Sequence, residues 1–250
     1  MTVGLIVFAC VFGGALCGLY LSTKLAGHHL SEGSKDVMKL ALGVIGTLAA
    51  LVLGLLLASA KSSFDAKGNG IRELSADLVL LDRALARYGP ATRNAREQLR
   101  NSVAAAIQRV WPGEELEVAK VDIFDPVREL ETVENGVRDL SPRTDAQRGF
   151  QSRALSLISE IARARVLNVE RFKTTLPTVF LIVLVGWFTI IFACLSLFAP
   201  RNAVVITILF ACAVSVSAAI VLILELDSPY QGVIRLSSAP LRDALAHMGQ

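Results

Sequence analysis

The densest polar group beside an apolar run lies at residues 222–241, where a long apolar stretch ends in charge. The group comprises Glu225, Asp227, Pro229, Tyr230, Gly232 and Arg235. Ionisable side chains at a membrane boundary are unfavourable unless they are solvated or paired, so the two carboxylates are candidates for a functional role. The proline and the glycine predict a turn that folds residues 233–241 back along the surface.

Three roles are open to Glu225 and Asp227. A ring of acids from several subunits would attract cations to the mouth of a pore. Alternatively, the acids form a structural ion pair with Arg235 or Arg171, or they only mark where the lipid ends. The structural roles are favoured, because the predicted topology places several basic side chains on the same side of the membrane.

Enzyme and metal signatures are weak in the rest of the chain. Phosphate-loop, dinucleotide-binding, zinc-protease and serine-hydrolase motifs do not occur in the sequence, so we expect neither enzymatic activity nor a cofactor. His28, Glu32 and Asp36 would share one face of a helix, but a polar loop readily collects such residues, and a solvated loop is the expected structure. The four cysteines lie inside apolar runs without zinc-ligand spacing, which predicts a packing role.

The composition indicates a membrane protein. Hydrophobic residues make up 53% of the chain, charged residues 19%, and the mean hydropathy is +0.55. The apolar residues cluster in blocks, whereas soluble domains spread them at helix or strand period. The net charge of +3 is small and not concentrated on one face, which argues against nucleic acid as a partner. The lipid bilayer is therefore the first partner that the sequence predicts.

Four charge-free runs are long enough to span a bilayer, because about 20 helical residues cover its hydrocarbon core of roughly 30 Å. They cover residues 3–21, 40–60, 176–199 and 203–224. The first run lacks a preceding Lys or Arg and a convincing cleavage site after it. We therefore interpret it as a retained membrane helix and not as a signal peptide.

Small residues recur at every fourth position in the first two predicted spans. They include Gly14 and Gly18 in the first span and Gly46, Ala50 and Gly54 in the second. Helices in lipid associate largely through close backbone approach, which small residues permit. Glycine also weakens a helix, so its repetition predicts a packing role. The stripes could join the first two spans to each other or to a neighbouring subunit.

Residues 61–173 are polar and predicted to be helical. Apolar side chains repeat at intervals of three and four over residues 71–88, forming a seam for another helix. Gly89-Pro90 predicts the end of that helix, and Asp125-Pro126 predicts the start of a later one. No strand-like alternation interrupts the pattern.

The predicted fold class is an all-α integral membrane protein with four transmembrane helices, arranged as two hairpins with an inserted helical cytoplasmic domain. With four spans, both termini and the helical domain lie on one side. Nine Lys and Arg residues lie close to the spans on that side and four on the other, which predicts that this side is cytoplasmic. The predicted parts are a first hairpin (1–60), the helical domain (61–173), a second hairpin (174–226) and a cytoplasmic tail (227–250).

Several stretches resemble a bacterial membrane family of unassigned function that is described as bestrophin-like. From Leu80 onward, the matching stretches are LLDRALARYGPATRNAREQLR followed by VWP, then TLPTVFLIVLVGWFTIIF, LFAPRNAVV and LILELDSPYQGVIRLSSAPL. The last stretch, an acidic residue followed by proline, an aromatic residue and glycine, is the most specific. The first predicted span is generic.

The resemblance implies similarity to bestrophins, which are pentameric, anion-conducting channels with four membrane helices per subunit and a helical cytoplasmic part. It therefore implies a homo-oligomeric ion channel in a bacterial inner membrane, with ions as its permeant species. The acids at the exit of the last span depart from an anion channel, and no pore residue is carried over. The alternative function is a non-conducting membrane scaffold or sensor whose cytoplasmic helices bind a protein partner through the seam at residues 71–88.

Overall fold

The computed structural model describes residues 2–24, 32–111, 126–172, 178–227 and 234–249. These residues contain no strand. Their helices are α1 (Thr2–Leu21), α2 (Glu32–Tyr88), α3 (Arg93–Val110), α4 (Pro126–Arg138), α5 (Asp145–Phe172), α6 (Thr178–Leu197), α7 (Ala203–Asp227) and α8 (Ala239–His247), with a short 3-10 turn at Pro90–Thr92. The described part of the chain is therefore all-α, which confirms the helical content of the predicted fold class.

Four of these helices are long and apolar enough to cross a membrane: α1, part of α2, α6 and α7. The number of spans predicted from the sequence is confirmed at the level of helix length and hydropathy. The second predicted span and the beginning of the polar segment at Lys61 belong to one helix. α2 has 57 residues in total, about 85 Å at 1.5 Å per residue. No proline interrupts it, and its backbone hydrogen bonds are internal, so a change from apolar to polar side chains does not end the helix.

The chain divides into two compact units. The membrane unit contains Met1–Phe64 and Thr175–Ile234, and the helical unit contains Asp65–Thr174 and Arg235–Gln250. In the membrane unit, α1 packs against both α6 and α7. Its buried residues follow a spacing of three or four, as in Val7, Val11 and Ala15, so one stripe of an almost uniformly apolar helix is selected for packing.

The core of the helical unit is built from the second half of α2 together with α3, α4, α5 and α8. Leu81 is fully buried and Leu85 is nearly so, and both belong to the seam at residues 71–88. Burying each such side chain contributes about 1.5–3 kcal/mol. Most of the seam is therefore internal core of this unit, whereas Leu74 is half-buried.

Local hydrogen bonds define the helix ends in the helical unit. Gly89 has φ = +121°, in the left-handed region that favours glycine, and ends α2 where Gly89-Pro90 predicted a break. The Thr92 hydroxyl donates to the carbonyl oxygen of Leu85 at 2.6 Å. At the end of α4, the Gln151 amide donates to the carbonyl oxygens of Val137 at 2.9 Å and Leu140 at 3.0 Å. These side chains satisfy carbonyl groups that a helix end otherwise leaves unpaired.

Candidate functional site

The acidic pair lies in the last turn of α7, because the helix extends past its predicted end to Asp227. Its 25 residues span about 37 Å, so the last turn reaches beyond a hydrocarbon core of roughly 30 Å. Glu225 and Asp227 are half-buried, and each takes part in at least one interaction, as does Arg235. The other members of the predicted group, Pro229, Tyr230 and Gly232, lie outside the described residues. Negative charge at a helix C-terminus is disfavoured by the helix dipole, so these carboxylates require partners or water.

Gly14 and Gly18 lie where α1 comes close to α6. A Cβ atom added at Gly14 would lie 2.8 Å from Thr189 Cγ2 and 2.9 Å from the Thr189 carbonyl oxygen. A Cβ atom added at Gly18 would overlap the carbonyl oxygen of Ala193. These two glycines therefore permit backbone contact between the first and third spans, a pairing different from the two that the small-residue spacing suggested.

A second close approach joins α1 to α7. The Ser217 hydroxyl donates a buried hydrogen bond of 2.6 Å to the carbonyl oxygen of Gly4. Phe8 and Phe12 stack with ring centroids 5.4 Å apart, and Phe210 meets both rings edge-on. Interhelical hydrogen bonds and close packing stabilise helix pairs in lipid. Sequence reasoning missed this contact, since the spacing of small residues did not single out Gly4 or Ser217.

The small residues of α2 have a different environment. Gly46 is half-buried, whereas Ala50 and Gly54 are exposed within the chain. No described atom outside the helix lies within 4 Å of a Cβ atom added at Gly46 or Gly54. Their side of the helix therefore makes no close helix contact within the described part of one chain.

The membrane part of α2 has three faces. Residues 49, 56 and 60 are buried and face the core of the membrane unit. The large face consists of exposed Leu and Val side chains at positions 40, 44, 48, 51 and 55. The small face contains positions 43, 46, 50 and 54. At about 100° per residue, the three faces lie roughly 120° apart around the helix. Only 11% of the most apolar stretch of α2 is buried within the chain, against 33% of that of α1. Two of the three faces of α2 therefore have no cover within the described chain.

The two short connections between spans meet in the membrane unit. The Arg201 guanidinium, between α6 and α7, donates to the Ser22 hydroxyl at the end of α1 with a distance of 3.1 Å. The Asn202 side chain accepts a hydrogen bond from the Val205 backbone N–H at 2.8 Å and so caps the first turn of α7. The C-terminus of α1 and the start of α7 are therefore neighbours.

The helical unit contains a partly buried ion pair between Asp82 on α2 and Arg96 on α3. The Arg96 Nε donates to Asp82 Oδ1 at 2.8 Å, and Nη2 donates to Oδ2 at 2.9 Å. The Gly249 backbone N–H also donates to Asp82 Oδ2 at 3.2 Å. The side-chain hydrogen bond to Asp82 raises the pKa of Arg96 above its already high usual value. This geometry joins two helices and the C-terminal segment.

Asp82 and Arg96 both lie in the stretch LLDRALARYGPATRNAREQLR, but the sequence analysis assigned neither of them a role. A usable signal was present, because Asp82 lies four residues after Leu78, within the apolar seam. An acid at a seam position must be paired when the seam is buried.

A second long-range bond connects the C-terminal segment to the same unit: the Trp111 indole N–H donates to the Leu236 carbonyl oxygen at 2.8 Å.

Metal ligation finds little support in the described ranges, where no group of three His, Cys, Asp or Glu side chains could hold an ion. The sequence analysis weighed one helix face as a metal site. Two of its members, His28 and the Glu32 side chain, lie outside the described part of the structure. Asp36 forms an exposed ion pair with Lys39 at 3.3 Å.

Comparison with known families fits this architecture. The family model of the Bestrophin-like domain matches residues 9–241. The chain belongs to the bestrophin-like family. The sequence-based resemblance is thereby confirmed, and no curated protein sequence matches the chain.

Solved structures share the bestrophin-like fold over nearly the whole chain. A bacterial bestrophin homologue from Klebsiella pneumoniae has 16% sequence identity and a TM-score of 0.66, covering 98% of each chain. A mutant of this homologue has 14% identity and a TM-score of 0.65, covering 96% of this chain and 99% of the other. A structure described only as a membrane protein has 15% identity and a TM-score of 0.65, covering all of both chains. At these identities the likeness shows the fold alone.

Proposed function

We propose that this bestrophin-like chain is a subunit of a homo-oligomeric ion channel in a bacterial inner membrane. The observation that carries the proposal is the division of the membrane part of α2 into three faces. A helix that lines a shared pore needs one face for its own chain, one for a neighbouring subunit and one for the axis. The resemblance to bestrophins supports the same function.

We assign the two uncovered faces of α2 by the size of their side chains. The small face, at positions 43, 46, 50 and 54, permits close backbone approach and suits contact with a neighbouring subunit. The large face, which includes Leu51 and Leu55, then points to the axis. Rings of apolar side chains form constrictions that control ion passage by dewetting.

The proposed topology has two hairpins, with the helical domain and the tail on the cytoplasmic side. The bond between Arg201 and Ser22 supports it, because the two short connections must then lie on one side of the membrane. The excess of Lys and Arg near the span ends on the other side supports the cytoplasmic location of the domain. A reporter fused after Gln250 that is active only in the periplasm would contradict this orientation.

For Glu225 and Asp227 we propose a structural role at the exit of α7. Each already takes part in an interaction within the chain, which favours fixation of the helix end over a ring of unpaired acids at a pore mouth. Glu225→Gln should therefore leave the ratio of anion to cation permeability unchanged in a flux assay. A changed ratio would assign the acids to the permeation pathway.

Flux through liposomes that contain the purified protein tests conduction directly. The four cysteines, which are all free, are first replaced by alanine. Leu51→Cys then places a thiol on the large face of α2. A charged, membrane-impermeant methanethiosulfonate reacts with thiols that reach water, because the reactive thiolate forms there. We expect ion flux before the reagent is added and a several-fold decrease after it.

Val214→Cys on α7 is the matched control. Val214 lies near the middle of its span, is exposed within the chain like Leu51, and belongs to a helix that we do not assign to the pore. We expect the reagent to leave its flux unchanged. If no ion passes through the unmodified protein, the proposal of a channel function is overturned. Normal flux that survives treatment of Leu51→Cys would instead overturn the assignment of the large face to the axis.

A further inference from the structure

The helical unit contains an apolar cavity of about 90 Å³ where five helices converge. Six buried side chains form its floor: Leu78, Leu99, Val103, Val133, Ile161 and Leu241. Half-buried side chains, among them Ala106 and Ser102, surround its mouth. Among the described residues, the cavity is therefore apolar and partly open on the side of these half-buried side chains.

The lining selects against water and ions. The described lining contains no charged side chain, and its one hydroxyl, that of Ser102, donates to the Gln98 carbonyl oxygen at 2.8 Å. A buried water needs two to four polar partners, whereas apolar cavities stay dry and accept apolar molecules. A cavity of about 150 Å³ with such a lining holds benzene or xenon in another protein. The cavity here, of about 90 Å³, is smaller, so an occupant as large as benzene must extend into its open side.

We propose that this cavity is a binding site for a small uncharged apolar molecule, such as a short alkyl chain or a single aromatic ring. The buried lining side chains supply van der Waals contacts, and the side on which Ala106 is half-buried supplies access. The site lies wholly within the helical unit. It does not depend on whether the membrane unit conducts ions.

Two variants on α3 provide a matched test. Ala106→Leu adds three carbon atoms at the mouth of the cavity, whereas Ala105→Leu makes the same change at a neighbouring half-buried position that does not line it. Crystals of the full chain are pressurised with xenon, and thermal unfolding is measured with and without benzene. We expect a xenon peak in the cavity and a benzene-induced rise in Tm for the wild-type protein and Ala105→Leu. We expect both to be lost in Ala106→Leu.

Each outcome decides the proposal. A wild-type crystal without xenon between Leu78, Val103 and Val133 overturns it, whatever the variants do, because the protein's own side chains then fill the space. A benzene effect that is equal in Ala106→Leu and the wild-type protein places the ligand elsewhere, in detergent or on an outer surface, and also overturns it. If Ala106→Leu fails to fold, the presence or absence of the xenon peak in the wild-type crystal still decides the proposal.

Discussion

Removal of the Arg96 guanidinium is expected to destabilise the helical unit more than removal of the Asp82 carboxylate that it binds. The Asp82 side chain is 4% exposed and the Arg96 side chain 23%. Arg96→Ala therefore leaves a buried carboxylate with only the Gly249 N–H, 3.2 Å away, among the described donors. Asp82→Ala leaves a guanidinium that can turn toward water. This variant should therefore lose less stability than Arg96→Ala.

The magnitude follows from the asymmetry of buried ion pairs. Breaking such a pair by removing one partner lowers the free energy of unfolding by about 3–5 kcal/mol. We place Arg96→Ala at the upper end of this range and Asp82→Ala at the lower end. With about 2–4 °C per kcal/mol for a chain of this size, Arg96→Ala should lower Tm by about 10–20 °C. Arg148→Ala, in an exposed ion pair of the same unit, should change stability by no more than about 1 kcal/mol.

Thermal unfolding in detergent at pH 7, followed by tryptophan fluorescence, measures these differences. A Tm for Arg96→Ala that lies within about 4 °C of the wild-type value, or a larger loss in Asp82→Ala, would refute the reasoning from burial.

Two further predictions concern charge in the helical unit and packing in the membrane unit. Burial and nearby acids raise the pKa of Asp77. Above that pKa the side chain is charged, and its charge lowers the stability of the folded state. Asp77→Asn should raise Tm at pH 7, and the gain should disappear as the pH falls; an equal gain at pH 4 would contradict this cause. Gly14→Ala should destabilise by about 1–3 kcal/mol, because the new Cβ atom meets backbone of α6. Gly13→Ala, at the neighbouring position of α1 where no described atom lies within 4 Å of the added Cβ atom, should be neutral or stabilising in the same unfolding assay, and equal losses in both variants would exclude the packing explanation.

Several features of the fold follow from local sequence alone. The four membrane-length helices were predictable because charge-free runs of about 20 residues have few structural options in lipid. The end of α2 at Gly89 was predictable because glycine followed by proline disfavours continuation of a helix. The position of Glu225 and Asp227 beside the last span was also predictable, although their place on the helix itself was not. These properties depend on hydropathy and backbone preferences within a few residues.

Only the tertiary structure decided which surfaces meet. Spacing predicted that Gly14 and Gly18 pack, but the choice of α6 depends on how three helices fit together. The ion pair of Asp82 and the bond between Trp111 and Leu236 join residues on separate helices or segments, so neither periodicity nor motif could specify them. The seam at residues 71–88 looks the same whether it contacts its own chain or a partner. Periodicity identifies an apolar face, whereas its partner depends on the complementary shape and charge of residues that are distant in sequence.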